Sequence, residues 1–179
     1  MKRILFPLFF LLLFSFRPAE DFYALSLKNI DGGTINLNDH RGKKLLVVML
    51  PLSAGDTTLT ATGLSQLQAK YPSLTVLGVP SIEDGFSQSG AQGLKTLYQN
   101  AGPRFSLTEG LHVKKGSTQH PLFQWLTDKN KNKHFDRDTE GTGAKFFVDE
   151  GGELYAVIGA QVSLSNPVID RILTRPSRP

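Results

Sequence analysis

The sequence predicts an α/β fold with a mixed central sheet flanked by helices, and three observations carry that expectation. First, Leu45-Leu46-Val47-Val48-Met49-Leu50 is an unbroken apolar run, as a strand buried on both faces of a sheet requires. Second, Leu64, Leu67 and Tyr71 recur at helical spacing in a run from Thr57 to Tyr71, and a further apolar strand follows at Leu74-Thr75-Val76-Leu77-Gly78-Val79. Strand, helix and strand make a parallel βαβ unit. Third, Ala144 to Val148 and Leu154 to Ile158 are strands joined by Asp149-Glu150-Gly151-Gly152, an antiparallel hairpin at the end of the sheet.

The N-terminus reads as a targeting segment. Met1-Lys2-Arg3 is a positive n-region, and Ile4 to Phe16 is a 13-residue apolar run containing Pro7, short of the ~20 residues a membrane span needs. Residues 1–19 are therefore expected to be a secretory signal, although Arg17 does not suit a cleavage site after Ala19; retention as a short anchor is the alternative. Residues 20–179 then form one domain, exported to the periplasm or the cell exterior, with no transmembrane span in the mature chain. At 40% hydrophobic and 20% charged residues the composition fits a globular protein with a proper core, and no long-period repeat is visible. Losing Lys2, Arg3 and Arg17 with the signal leaves 17 basic against 16 acidic residues, a balance that gives nucleic-acid binding no support. The chain contains no cysteine, which excludes a lipoprotein anchor, disulfides and thiol chemistry alike.

Taken in order, Phe22 to Leu37 alternates around Asn29-Ile30-Asp31-Gly32-Gly33 and predicts an N-terminal β-hairpin. Asn38 to Gly42 is a polar connection, with His40 a solvated loop residue. Past Val79, Ser81 to Gly90 is rich in Ser, Gly and acid and reads as a loop bordering the end of the first strand. Gln92 to Asn100 is helical through Leu94, Leu97 and Tyr98, and Phe105-Ser106-Leu107 begins an extended stretch. Pro121 opens a short helix in which Leu122, Trp125 and Leu126 share a face, with His120 before it in a capping or packing role. Thr127 to Gly143 reads as an exposed charged loop. Its Asp136, Asp138, Glu140 and Gly141 mimic the start of a calcium loop, but Phe147 stands where the bidentate glutamate belongs. Asn166 caps a last helix with Pro167 at its first position, and Thr174 to Pro179 is a basic tail.

These segments resemble, in order and spacing, the glutathione peroxidase family, a branch of the thioredoxin-like fold. The resemblance runs from Phe22-Tyr23-Ala24-Leu25-Ser26-Leu27 through Asp31 to Leu37, Arg41-Gly42-Lys43, Gly78-Val79-Pro80 and Phe105-Ser106-Leu107 to Lys145-Phe146-Phe147-Val148-Asp149. Its most specific match is His120-Pro121-Leu122-Phe123-Gln124-Trp125-Leu126. The same matching puts the family's peroxidatic cysteine or selenocysteine on Ala54, its pocket glutamine on or beside Glu83, its tryptophan on Gly141 and its asparagine on Thr142. Four changed positions imply a natural pseudoenzyme with a binding or scaffold role toward an unknown small molecule or protein. A hydroperoxide reductase of the oxidative stress response is the alternative.

No other chemistry stands out from the residues. Peroxide reduction needs a lowered-pKa thiolate that cycles through a sulfenic acid, and Ser53, beside Ala54, supplies neither. Ser53 reads as a cap or turn residue. A hydrolytic group of Ser53 or Ser81 with His112 or His120 and Glu83 has no distinguishing spacing, nor has a metal site built from His112, His120 and a carboxylate. No cofactor and no metal are expected. The expected ligand-facing residues are Ser53, Gly55 and Thr57, where the backbone N–H groups of a helix start would favour an anion.

Overall fold

The computed structural model describes residues 21–55 and 58–176. In chain order these form β1 (Ser26–Lys28), β2 (Thr34–Asn36), β3 (Leu45–Met49), α1 (Ala61–Lys70), β4 (Thr75–Val79), α2 (Ala91–Tyr98) and β5 (Phe105–Leu107). Then come α3 (Pro121–Thr127), α4 (Lys129–Asn132), β6 (Lys145–Val148), β7 (Leu154–Ile158) and α5 (Pro167–Thr174). The main sheet has the order β5-β4-β3-β6-β7. β3, β4 and β5 run parallel, while β6 and β7 are antiparallel additions, so the sheet is mixed as expected. Among the described residues no helix is long and apolar enough to cross a membrane.

The two-residue period of a strand sorts the apolar run of β3 onto both faces of the sheet. Leu45, Val47 and Met49 join the core beneath α3, whose Leu122, Phe123, Trp125 and Leu126 are all buried there. Leu46 and Val48 join the opposite core with Leu64 and Leu67 of α1, Leu94 and Tyr98 of α2, and Ile169 and Leu173 of α5. The β1–β2 hairpin adds Leu27 and Ile35 to the α3 side. Its turn is held by Asn29, whose Oδ1 accepts from the Asp31 and Gly33 N–H groups at 2.9 Å each. The hairpin meets the β5 edge through Ile30 N–H donating to the Leu107 carbonyl and Glu109 N–H donating to the Lys28 carbonyl.

Both helix starts expected from side-chain caps form as read. His120 Nδ1 accepts from Leu122 N–H at 3.2 Å ahead of Pro121, and Asn166 Oδ1 accepts from Val168 N–H at 3.0 Å ahead of Pro167. Other boundaries need correction. α1 begins at Ala61 rather than Thr57, because Thr60 is the residue that caps it, accepting from Gly63 N–H at 3.0 Å. Leu59, just ahead of the cap, is buried in the core. The charged stretch after Thr127 is not all loop, since Asp128 caps the short helix α4 through Asn130 N–H. Within that stretch Asp136 pairs with the Lys115 ammonium at 2.8 Å and Asp138 accepts from the Lys115 and Thr139 N–H groups, so both carboxylates are engaged by the chain itself. The expected signal or anchor at residues 1–19, Thr57 and the last three residues of the tail lie outside the described residues.

Candidate functional site at the end of β3

β3 is the middle strand, so loops from both neighbours converge on its carboxyl end, the position at which open α/β sheets place ligands. On the β4 side, Leu50 N–H donates to the Val79 carbonyl and the chain turns through Pro80 and Ser81. On the β6 side, Gly143 N–H donates to the Met49 carbonyl at 2.8 Å. The two flanking loops then join directly: Thr142 Oγ1 donates to Asp84 Oδ2 at 2.9 Å. Beneath them Thr139 Oγ1 donates to the buried Met49 sulfur and accepts from Gly141 N–H. Gly141 has φ +96, and a Cβ added to it would sit 3.6 Å from Asp84 Oδ1. Three of the four family positions, Glu83, Gly141 and Thr142, thus lie in loops that the end of β3 brings together.

Ala54 follows on the exposed continuation of β3, with Ser53 and Gly55 beside it, also exposed. The Pro51 carbonyl anchors the start of this stretch by accepting from the buried Tyr98 hydroxyl at 3.1 Å. Because α1 starts at Ala61, Ser53 and Gly55 lie in the connection ahead of the helix and not in its first turn. Ser53 therefore does not cap α1.

The Glu83 carboxylate is committed to the loop that follows β5. Its Oε2 accepts from Val113 N–H at 3.0 Å and from Ser81 Oγ at 3.3 Å, and its Oε1 meets His112 Nδ1 at 3.0 Å. Burial works against ionisation of Glu83, but the hydrogen bonds from Val113 and His112 outweigh it and hold the pKa below the ordinary value. The structure does gather Ser81, Glu83 and His112, three residues of the hydrolytic alternative. Their order is wrong for that chemistry: the carboxylate, not the imidazole, meets the hydroxyl, and a carboxylate held below its ordinary pKa is too weak a base to activate a serine. His120 stays at the start of α3, where burial pushes its pKa down. Among the described residues no three His, Asp or Glu side chains are arranged to hold a metal. The carboxylate facing Gly141 and Thr142 is Asp84, whose only signal in the sequence is its place beside Glu83.

Comparison with known proteins gives the same lineage. Residues 22–127, more than half of the chain, match the pattern of the family described as Glutathione peroxidase, a span that includes Ala54 and Glu83 and ends before Gly141. Glutathione peroxidase 2 of Rattus norvegicus is 36% identical over 119 residues, 62% of this chain and 62% of that protein. The Sapajus apella protein of the same name is 32% identical over 138 residues, 73% and 72% of the two chains. The match thus spans about three fifths of the first relative's length. Among solved structures, the apo form of Trgpx superposes with a TM-score of 0.64 at 20% identity, covering 89% of this chain and 99% of that one. A secreted Mycobacterium tuberculosis disulfide oxidoreductase gives 0.55 at 12% identity, covering 85% and 96%, which extends the likeness to the thioredoxin-like fold at large. With the fold in agreement, the match over residues 22–127 and these relatives lead to one conclusion: the chain belongs to the glutathione peroxidase family.

Proposed function

We propose that this chain is an exported glutathione peroxidase family member that has lost hydroperoxide reduction and acts by binding a small molecule or a protein. The observation that carries the reading is chemical: no cysteine exists anywhere in the chain, and the residue that the family resemblance matches to the peroxidatic position is Ala54. A peroxide O–O bond is cleaved by a nucleophile that is afterwards regenerated by a reductant, and none of the groups around the end of β3 does both. Thr142 and Asp84 bond to one another, and the Glu83 carboxylate is engaged by Val113, Ser81 and His112. What the site offers instead is an exposed turn at Ser53 to Gly55, with Thr57 following in sequence, beside a loop junction built of a hydroxyl and a carboxylate. Export rests on Lys2-Arg3 and the apolar run Ile4 to Phe16.

The deciding experiment is hydroperoxide turnover by purified protein supplied with a thiol reductant, after removal of metals and haem. No turnover above buffer is expected, and turnover proportional to protein refutes the proposal in favour of a working peroxidase. Small-anion titration followed by NMR over Gly55 to Thr58 tests the binding turn, and cell fractionation tests export, which full-length protein in the soluble cytoplasm would exclude.

A further inference from the structure

β7 is an outermost strand of the sheet, bonded to β6 on one side only among the described residues. It reads Leu-Tyr-Ala-Val-Ile and carries neither charge nor proline, the devices that ordinarily blunt a free edge. Tyr155, Ala156 and Val157 line a cavity of about 270 Å³ there. The cavity straddles the edge, since its lining includes Phe135 and Val157 from the α3 side of the sheet and Tyr155 from the α5 side.

Both walls are built before any occupant arrives. One is the end of α5, where Lys44 Nζ donates to the Leu173 and Arg175 carbonyls at 2.7 and 2.5 Å and so satisfies the helix terminus. The other is the segment from His134 to Arg137, fixed by the buried Asn132. Its Nδ2 donates to the Trp125 and Phe135 carbonyls, and its Oδ1 accepts from the His134 and Phe135 N–H groups. The groove's acids are engaged: Asp149 Oδ1 accepts from the Gly151 and Glu153 N–H groups, and Glu153 faces His134 at 3.9 Å. Its arginines are not engaged by acids. Arg137 lies over the Phe135 ring at 5.5 Å, and neither it nor Arg175 forms an ion pair among the described residues.

We infer that this groove docks one extended segment of an acidic partner polypeptide, which adds to β7 as a sixth strand and sets its carboxylates against Arg137 and Arg175. A five-residue edge offers alternate N–H and C=O groups over about 17 Å, enough to order a short strand. Charge decides between occupants. A second copy would bring its own Lys44, Arg137 and Arg175 against only Asp149 and Glu153, and so has no excess of negative charge to set against the arginines. An acidic strand meets both arginines with the opposite sign. This surface lies on the sheet edge, so the inference does not depend on the chemistry at the end of β3.

The test is an NMR titration of the nitrogen-15-labelled full chain. The probes are the peptide Ac-Val-Glu-Val-Thr-Glu-Val-amide and its counterpart with Lys in place of both Glu. The acidic peptide is expected to shift the amides of Tyr155 to Ile158, His134 to Arg137 and Arg175, with affinity falling as salt rises. Arg137→Glu and Arg175→Glu, both at exposed positions, should each weaken it by roughly two- to fivefold without changing the thermal midpoint. Absence of shifts at these amides, equal response to both peptides, or broadening of the same amides by protein concentration alone would overturn the inference.

Discussion

Replacing Glu83 by alanine separates a clamp from a pocket residue. In the structure the Glu83 carboxylate ties the loop after β4 to the loop after β5 through two bonds, to His112 and Val113, and meets Ser81 within its own loop. The contact with Val113 N–H matters most, because Val113 is fully buried and its donor loses its acceptor when the side chain is cut back. A buried donor left unsatisfied costs about 1–3 kcal/mol. His112 is 44% exposed at its side chain and rehydrates, so its share is at most about 1 kcal/mol. The Ser81 contact is long at 3.3 Å and adds little. Together these give about 2–3 kcal/mol, which for a domain of this length lowers the thermal midpoint by about 4–12 °C.

The assay is thermal and denaturant unfolding of wild type, Glu83→Ala and Glu83→Gln at several pH values. Glutamine keeps an oxygen for Val113 N–H and should cost less than alanine at neutral pH. The sign with pH follows from the lowered pKa of Glu83. The unfolded chain protonates this carboxyl at higher pH than the folded chain does, so the stabilisation is complete above the ordinary glutamate range. It disappears as pH falls through the folded value. The gap between wild type and Glu83→Gln should therefore close in acid. An alanine variant as stable as wild type, or a gap that widens in acid, refutes the clamp and returns Glu83 to the pocket.

Three further outcomes are expected. In Ala54→Cys, Asp84→Asn should lower the thiol pKa further than Glu83→Gln, because Asp84 is the carboxylate that meets Thr142, and like charge raises a thiol above about 8.5; alkylation rate against pH reads this, and equal effects of the two would refute it. Gly78→Ala should cost about 1–3 kcal/mol in chemical denaturation, since its Cβ would lie 2.6 Å from Phe105 Cζ and 2.8 Å from Leu50 Cδ1, with partial rescue by Phe105→Leu. Burial, reinforced by Glu150 and Asp149, raises the Tyr155 phenol pKa far above its ordinary value despite the opposing charge of Arg175. Ultraviolet titration should find this tyrosine silent while unfolded chains ionise, and the stability it lends should fall as pH rises past the ordinary tyrosine range, a loss absent from Tyr155→Phe.

The framework was legible in the sequence wherever one physical signal dominated. The continuous apolar runs of β3 and β4 admit only burial on both faces, and the pairs His120-Pro121 and Asn166-Pro167 leave one way to begin a helix. The start of α1 was harder to place because Thr57, Thr58 and Thr60 are all competent caps. Thr60 is the one used, and burial of Leu59 beside it is a tertiary contact that no local pattern records. Lys145 was equally opaque: it sits fully buried in the apolar β6 with its ammonium donating to the Gly143 carbonyl. Within the site, neighbouring acids divided their roles by contacts distant in sequence. Glu83 turned to Val113 and Asp84 to Thr142, 30 and 58 residues away, so spacing along the chain held no information about which would face position 54.

The conformation of Gly141 has a consequence for the history of this lineage. Its φ of +96 is comfortable for glycine and rarely adopted by residues bearing a Cβ. Tryptophan, the residue that the family resemblance expects at 141, would be strained there by about 1–2 kcal/mol unless the peptide turned over. Turning it disturbs the Gly141 N–H bond to Thr139 and strains the neighbouring bonds from Thr142 to Asp84 and from Gly143 to Met49. Gly141→Trp is thus unfavourable on its own. If hydroperoxide reduction has been lost, as proposed above, the backbone at Gly141 acts as a ratchet that makes the loss hard to reverse one residue at a time.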